Sequence, residues 1–395
     1  MPDIQTTTAG SLPRTQALID ANGARTFADD GFTLQSTPAF DAQVAAAVSD
    51  VVARQREAGI TLVGDGEFGK AMSSAVDYGA WWSYSFQRVN GLSLTEVNAF
   101  NEPPARSDAG SIRLTSFLDR RDRQLFPAVY AEAVEAGRTA TAFPTTTGPI
   151  SYRGQDAVAA DIRHLKAALA PGEQGFLTAI APGSAARVRN DFYATDEEHI
   201  WAWAEALREE YRAIVDAGLI VQLDDPSLAE NFDQINPEPS IADYQAFTKI
   251  RIDAINHAIE GLPKEQVRLH LCWGSWHGPH TTDIELRDIL PVVLGANVGS
   301  ISFEAGNVRH EHEWSVWKDA GVPDDLVLVP GVVSHATQVV EHPDLVAERI
   351  GRFAGIVGAD RVIASTDCGL GGRIHPDLAW AKLAALGEGS RRARS

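Results

Sequence analysis

The sequence predicts an α/β chain, a single (β/α)8 barrel with an insertion after the second strand. Two observations lead there. Eight short, β-branched apolar runs recur along the chain, each followed by a polar loop and a helix-like stretch. The runs are apolar on both parities, as strands covered on both faces of a parallel sheet must be. Eight such units fit a (β/α)8 barrel; an open doubly wound sheet is the competing arrangement, which periodicity alone does not separate.

The strand runs fall at residues 5–9, 61–64, 176–181, 220–223, 267–272, 299–304, 327–332 and 362–366. A further run at 139–146 interrupts the spacing between the second and third. The clearest helix starts with Thr195 and Glu198, a T-x-x-E capping box. It continues through Ile200, Trp203, Leu207, Tyr211 and Ile214 at three-to-four spacing and stops near Gly218. A second, over residues 40–58, carries Val44, Val48, Val51 and Val52 and ends before Gly59. Residues 81–120, rich in polar and aromatic side chains, fit neither element. They read as part of an excursion over the barrel mouth, approximately residues 81–150, within one catalytic domain spanning residues 1–395.

Composition narrows the function. The 395 residues are 44% hydrophobic and 22% charged, ordinary for a globular protein with a full core. A net charge of −19 argues against nucleic acid and anionic membranes as partners. No apolar run approaches a membrane span. The first residues lack a basic stretch followed by an apolar one, so a cytoplasmic location is expected. There are two cysteines, Cys272 and Cys368, which is no disulfide framework.

The polar residues of interest follow the strand runs. Ser11 follows the first, Asp65 and Glu67 the second, and Asp224 and Asp225 the run at 220–223. His270 and Cys272 end another, Glu304 the next, and His335 and Cys368 follow the last two. In a parallel barrel these ends share the face where active sites are built. His270 and Cys272 are an i, i+2 pair, so on a strand both side chains point the same way. With Cys368 and Glu304 they offer an imidazole, two thiolates and a carboxylate, a set that favours zinc over magnesium or calcium. From residues alone, a core histidine with two buried cysteines is the other reading. Sulfur ligands would suit activation of an external thiol better than acidification of water. Glu304, the hardest donor, would be the exchangeable ligand.

The motifs also carry a resemblance. TTTAGSLPRT (6–15), GDGEFGK (64–70), VQLDDPSLA (221–229), LHLCWG (269–274), ISFEAGN (301–307), VPGVVSH (329–335), VEHPDLVAERI (340–350) and TDCGLGGR (366–373) resemble the catalytic barrel of the cobalamin-independent methionine synthase family. The likeness is to its short, stand-alone type II members. It implies the (β/α)8 fold shared with uroporphyrinogen decarboxylase, and zinc held by His270, Cys272, Glu304 and Cys368. It further implies methyl transfer from a methyltetrahydrofolate-type donor to homocysteine. Ser11 and Glu67 would contact the amino-acid part of homocysteine, and Asp224 its ammonium group. His335 lies near the family's candidate proton donor.

The chain departs from the pattern in three places. It has length for one barrel rather than two. Thr8 stands where a histidine usually precedes the first motif's Gly-Ser. Trp273, Trp276 and His277 crowd the loop beside the metal motif, and RHEHEW (309–314) follows Glu304. An alkyl transfer to another thiol, as in epoxyalkane–coenzyme M transferase, is the main alternative. A sulfonate would call for cations, and Arg153, Arg187 and Arg373 keep that reading open, while Glu67, Asp224 and Asp225 favour an amino acid. A metal-free decarboxylase of the same superfamily is the alternative from another class, and a binding protein with structural zinc a further one. The sequence leaves the donor's identity and homo-oligomerisation open.

Overall fold

The structure, a computed structural model, describes residues 4–70, 80–135 and 143–393. Among the described residues the strands are β1 (Gln5–Thr6), β2 (Val63–Gly64), β3 (Val89–Leu94), β4 (Pro144–Tyr152), β5 (Gly175–Ile180), β6 (Ile220–Asp225), β7 (Val267–Leu271), β8 (Ser300–Glu304), β9 (Val327–Val333) and β10 (Ile363–Thr366). Eight form one sheet in the order β1-β10-β9-β8-β7-β6-β5-β2, every pair parallel. The two end strands also meet. The backbone amides of Thr61 and Leu62 donate to Thr6 O at 3.1 and 2.9 Å, curling the sheet round on itself.

All eight apolar runs are strands of this sheet, and β5, β6 and β7 are buried along their whole length. Their both-faced apolar character follows from enclosure between barrel interior and helices. The helix Pro38–Glu57 is capped by Thr37 and buries Val44, Val48, Val51 and Val52. The helix Asp196–Asp216 starts at Thr195, whose side chain accepts from Glu198 N. The Glu198 carboxylate reaches back one residue further than a capping box requires, to Ala194 N at 3.1 Å. Gly218, at φ +82°, ends that turn in a conformation that suits glycine. Trp203 and Tyr211 on its inner face are fully buried, each contributing roughly 2 kcal/mol or more. No helix among the described residues is long and apolar enough to cross a membrane.

Residues 81–120 are more ordered than their composition predicts. They contain the helix Ala80–Phe86 and the strand β3, which pairs antiparallel with β4. Of the run at 139–146, residues 139–142 lie outside the described residues and Pro144 opens β4. The reason periodicity misses these elements is visible. Trp82, Phe86, Phe100, Phe117 and Phe143 pack on one another, with ring centroids 4.3–5.8 Å apart, so no single helical or strand face is apolar. The excursion is tied to the barrel by charge as well. Glu210 on the long helix accepts from Tyr84 and Tyr152 at 3.2 and 2.7 Å and pairs with Arg88 at 3.1 Å. Arg120 pairs with both Glu230 and Asp233 at 2.7 Å.

Candidate active site

The C-terminal ends of β6 to β10 bring the chemistry together. His270 and Cys272 project from the end of β7 on one face. The His270 Nδ1 meets Ser302 Oγ at 3.1 Å, and Ser302 is its register partner on β8. That contact orients the ring. The other nitrogen, Nε2, is buried and has no hydrogen-bond partner. From the loop after β10, Cys368 Sγ reaches to 3.8 Å from Cys272 Sγ. A ring nitrogen of His270 and both sulfurs lie within 4.8 Å of one another. Cys272 is pushed up by its contact with Cys368 and by burial, and Cys368 is held down by Cys272 and, further, by His270.

This donor set fits zinc. A buried imidazole nitrogen without a partner costs free energy as it stands, and it faces two soft donors at a spacing one ion could bridge.

Glu304 belongs to a neighbouring group. One oxygen of Glu304, one of Asp367 and a ring nitrogen of His335 lie within 4.8 Å of one another. The Glu304 carboxylate accepts from Trp273 N at 3.0 Å and from Asn307 Nδ2 at 2.6 Å. Trp273 follows Cys272 directly, so the two groups adjoin. Asp367 Oδ1 accepts from the amides of Ala305 and Gly306, both at 2.8 Å. Its other oxygen is buried and unpartnered, as is His335 Nδ1. Burial and the charge of Glu304 push Asp367 up to about 8, while burial lowers His335.

Ser11, Glu67 and Asp224 line the same mouth. The Ser11 carbonyl accepts from Leu370 N and Gly371 N at 2.9 and 3.0 Å, packing it on the loop that carries Cys368. Glu67 adopts a left-handed conformation, φ +63°, with its amide donating to Asp65 Oδ1 at 2.8 Å. Its carboxylate accepts from Thr178 Oγ1 at 3.0 Å and lies against Gly10, where a Cβ would come within 2.6 Å of Oε1. Asp224 is the register partner of His270 and accepts from Gln222 Nε2 at 2.7 Å. Burial pushes Asp224 up to about 7. Asp65 also rises to about 7, through burial and nearby Asp161. Asp225 points elsewhere: it accepts from Ser184 Oγ at 2.6 Å and caps the turn at Ser227.

Of the three arginines, Arg153 pairs with Asp30 at the surface, and Arg187 is spent on Glu230 through two contacts of 2.9 Å. Arg373 reaches the mouth loops, donating to Ser275 Oγ at 2.6 Å and Gly371 O at 3.0 Å. The histidine-rich loops form an ion-paired clamp. His310 stacks on Trp273 at 4.2 Å and donates to both Asp283, 3.0 Å, and Glu313, 2.8 Å. Burial alone would lower His310, but these two carboxylates push it up to about 10. Two buried polar residues of the mouth escaped the sequence reading, Asp367 and Lys70. Both stand inside quoted motifs, TDC and GEFGK, yet only burial sets them apart from surface charges.

Comparison with known proteins finds relatives of one family. The family described as "Cobalamin-independent synthase, Catalytic domain" matches residues 164–386. The chain is 25% identical over 423 residues to a 2-hydroxypropyl-CoM lyase of Xanthobacter autotrophicus, an alignment that covers 99% of this chain and 95% of that protein. It is 29% identical over 194 residues to a 5-methyltetrahydropteroyltriglutamate–homocysteine methyltransferase of Nitratidesulfovibrio vulgaris, covering 49% of this chain and 22% of that one. A solved B12-independent methionine synthase from a Shewanella species, in complex with selenomethionine, superposes with a TM-score of 0.68 at 20% identity, covering 100% of this chain and 98% of the other. With a family match over more than half its length, this chain belongs to the family of the cobalamin-independent synthase catalytic domain.

Proposed function

We propose that the chain is a zinc-dependent S-alkyltransferase, with homocysteine as acceptor and a methyltetrahydrofolate-type methyl donor. The observation that carries this reading is the sulfur pair 3.8 Å apart beside the unpartnered His270 nitrogen. His270, Cys272 and Cys368 would hold the metal, with Glu304 as the nearby fourth donor. When bound there, zinc would supply a lowered thiol pKa while the sulfur stays nucleophilic. Asp224 receives the ammonium of an amino-acid thiol, and Ser11 and Glu67 contact its amino-acid part. His335 holds a proton at Nδ1 for the leaving group of the donor. Trp273 N and Asn307 Nδ2 keep the Glu304 carboxylate beside the sulfurs. The same reading takes residues 1–395 as one catalytic domain and residues 81–150, approximately, as an insertion over its mouth.

A second reading keeps the metal chemistry and changes the thiol. It is favoured by the alignment, over nearly the whole chain, with a relative named for a coenzyme M conjugate, and by Arg373 at the mouth. The sulfur pair speaks against a metal-free decarboxylase.

Zinc content and X-ray absorption at the zinc edge separate these. One zinc per chain, with sulfur coordination rising by one on addition of L-homocysteine, is the expected result. A rise only with 2-mercaptoethanesulfonate would replace the acceptor, and absence of zinc would overturn the reading.

A further inference from the structure

Glu67 stands in a left-handed conformation, φ +63°, which among the described residues it shares with one other non-glycine residue, His280. A side chain is strained there, and glycine is not. Such residues persist only where their surroundings over-determine them, and they gather at functional sites. The sequence nevertheless keeps a carboxylate at this position, and buries it. Something must hold the turn, and something must require the side chain.

Arg14 holds the turn. It belongs to the motif TTTAGSLPRT, lies just before the helix Gln16–Gly23 and is itself buried. One guanidinium nitrogen, Nη2, donates to Glu67 O and, at 2.8 Å, to Lys70 O. Its charge makes these bonds stronger than those of a neutral donor. They gather the carbonyls at the two ends of one turn, whose own closing bond runs from Lys70 N to Glu67 O at 3.0 Å. Leu12 N adds a bond to Gly66 O at 3.1 Å, just ahead of the strained residue.

The same stretch of chain also shapes the space around the carboxylate. Gly10, at φ +126°, lies against it, and a Cβ there would come within 2.6 Å of Glu67 Oε1. Thr178 Oγ1 donates to that oxygen at 3.0 Å from the other side. The backbone of Glu67 is thus clamped by Arg14, while its carboxylate is aimed by Gly10 and Thr178.

We propose that Arg14 is a positioning residue, holding Glu67 in its strained turn so that the carboxylate is presented to the amino-acid end of the thiol substrate. This inference rests on the thiol reading above, in which Glu67 contacts that end.

Equilibrium binding of L-homocysteine and of propane-1-thiol, which lacks the amino-acid end, to the zinc-loaded protein tests it. The wild type should prefer homocysteine at least about tenfold. Arg14→Met should lose most of that preference while propane-1-thiol binds as before, and Arg14→Lys should restore part of it. An unchanged preference in Arg14→Met, or equal weakening of both thiols, overturns the proposal. Glu67→Gln separates the inference from the reading beneath it. Loss of preference there but not in Arg14→Met sinks the role of Arg14 alone. No preference in the wild type, or full preference in Glu67→Gln, sinks the reading of Glu67 and the proposal with it. Thermal unfolding decides independently. Glycine at position 67 needs no clamp, so Arg14→Met should lower the midpoint less in a Glu67→Gly background than in the wild type. Equal losses, or failure of Arg14→Met to fold in both backgrounds, overturn the proposal.

Discussion

Cys272 Sγ lies 3.8 Å from Cys368 Sγ, although 96 residues separate the two along the chain. Each stands at the C-terminal end of a strand, one after β7 and the other after β10. Between them run β8 and β9, so the contact spans the barrel mouth rather than neighbouring strands. Two thiols so placed in a buried site make strong demands on their surroundings, and these are open to test.

Loss of either sulfur should empty the site. Cys368→Ser is expected to retain only a small fraction of the wild-type zinc after dialysis, because thiolate is the donor that matches this metal. Elemental analysis of both proteins checks it, and full zinc retention by the variant would remove Cys368 from the ligand set.

The Ser302 hydroxyl should matter to metal affinity without touching the metal. It meets His270 Nδ1 at 3.1 Å and so presents Nε2. Removing such a partner typically costs about 10–100-fold in affinity. Competition between Ser302→Ala and a chromophoric chelator reads this directly. Unchanged affinity would mean that backbone packing alone orients the ring.

Arg120 should be a principal anchor of the excursion. It is buried and pairs with Glu230 and Asp233 at 2.7 Å each. In Arg120→Met, Glu230 keeps Arg187 while Asp233 loses its cation. Leaving a buried charge without its cation costs about 3 kcal/mol. Denaturant unfolding should show a lower midpoint by a corresponding amount, and an unshifted midpoint would mean that Asp233 finds another partner.

The stability of the protein should fall on acidification through His199. Burial lowers this histidine from 6.5 to about 4, while its ring accepts from Trp203 Nε1 at 3.0 Å and meets Thr146 Oγ1 at 2.8 Å. Above pH 6.5 both folded and unfolded forms are neutral. Between 6.5 and about 4 only the unfolded chain binds the proton, so stability is lost progressively through that window. The difference amounts to roughly 3 kcal/mol. Comparing the wild type with His199→Gln across this range isolates the contribution, since the carboxylates titrate equally in both. Parallel curves would exclude it.

Gly331 should tolerate no side chain. A Cβ there would sit 2.3 Å from Asp367 Cα, a backbone atom that cannot turn aside. Gly331→Ala is expected to push β9 from β10, destabilise the fold by about 1–3 kcal/mol and weaken zinc binding through Cys368, the next residue. Thermal unfolding and zinc titration measure the two effects. Loss of stability with intact zinc affinity would show that the Cys368 loop adjusts independently.

The chain's local pattern determined where the barrel strands lie and which polar residues end them. A strand enclosed on both faces must be apolar along its length, and in a parallel sheet every C-terminal end opens on one side. Both facts are properties of short segments, so Val267–Leu271 or Val327–Val333 announces itself without its neighbours. The helix Ala80–Phe86 and the strand β3 did not, because their aromatic side chains pack against one another from several elements and leave no periodic face.

What the tertiary structure alone decided is which of those ends meet, and which charges are withdrawn from water. It sets Glu304 with His335 and Asp367, beside the sulfur pair but in a separate group. It turns Asp225 away to cap a turn while Asp224 faces His270. It buries Lys70 in the mouth and spends Arg187 on Glu230. Such distances follow from strand register, barrel closure and loop paths, which bring together atoms remote in sequence, and no local periodicity encodes them.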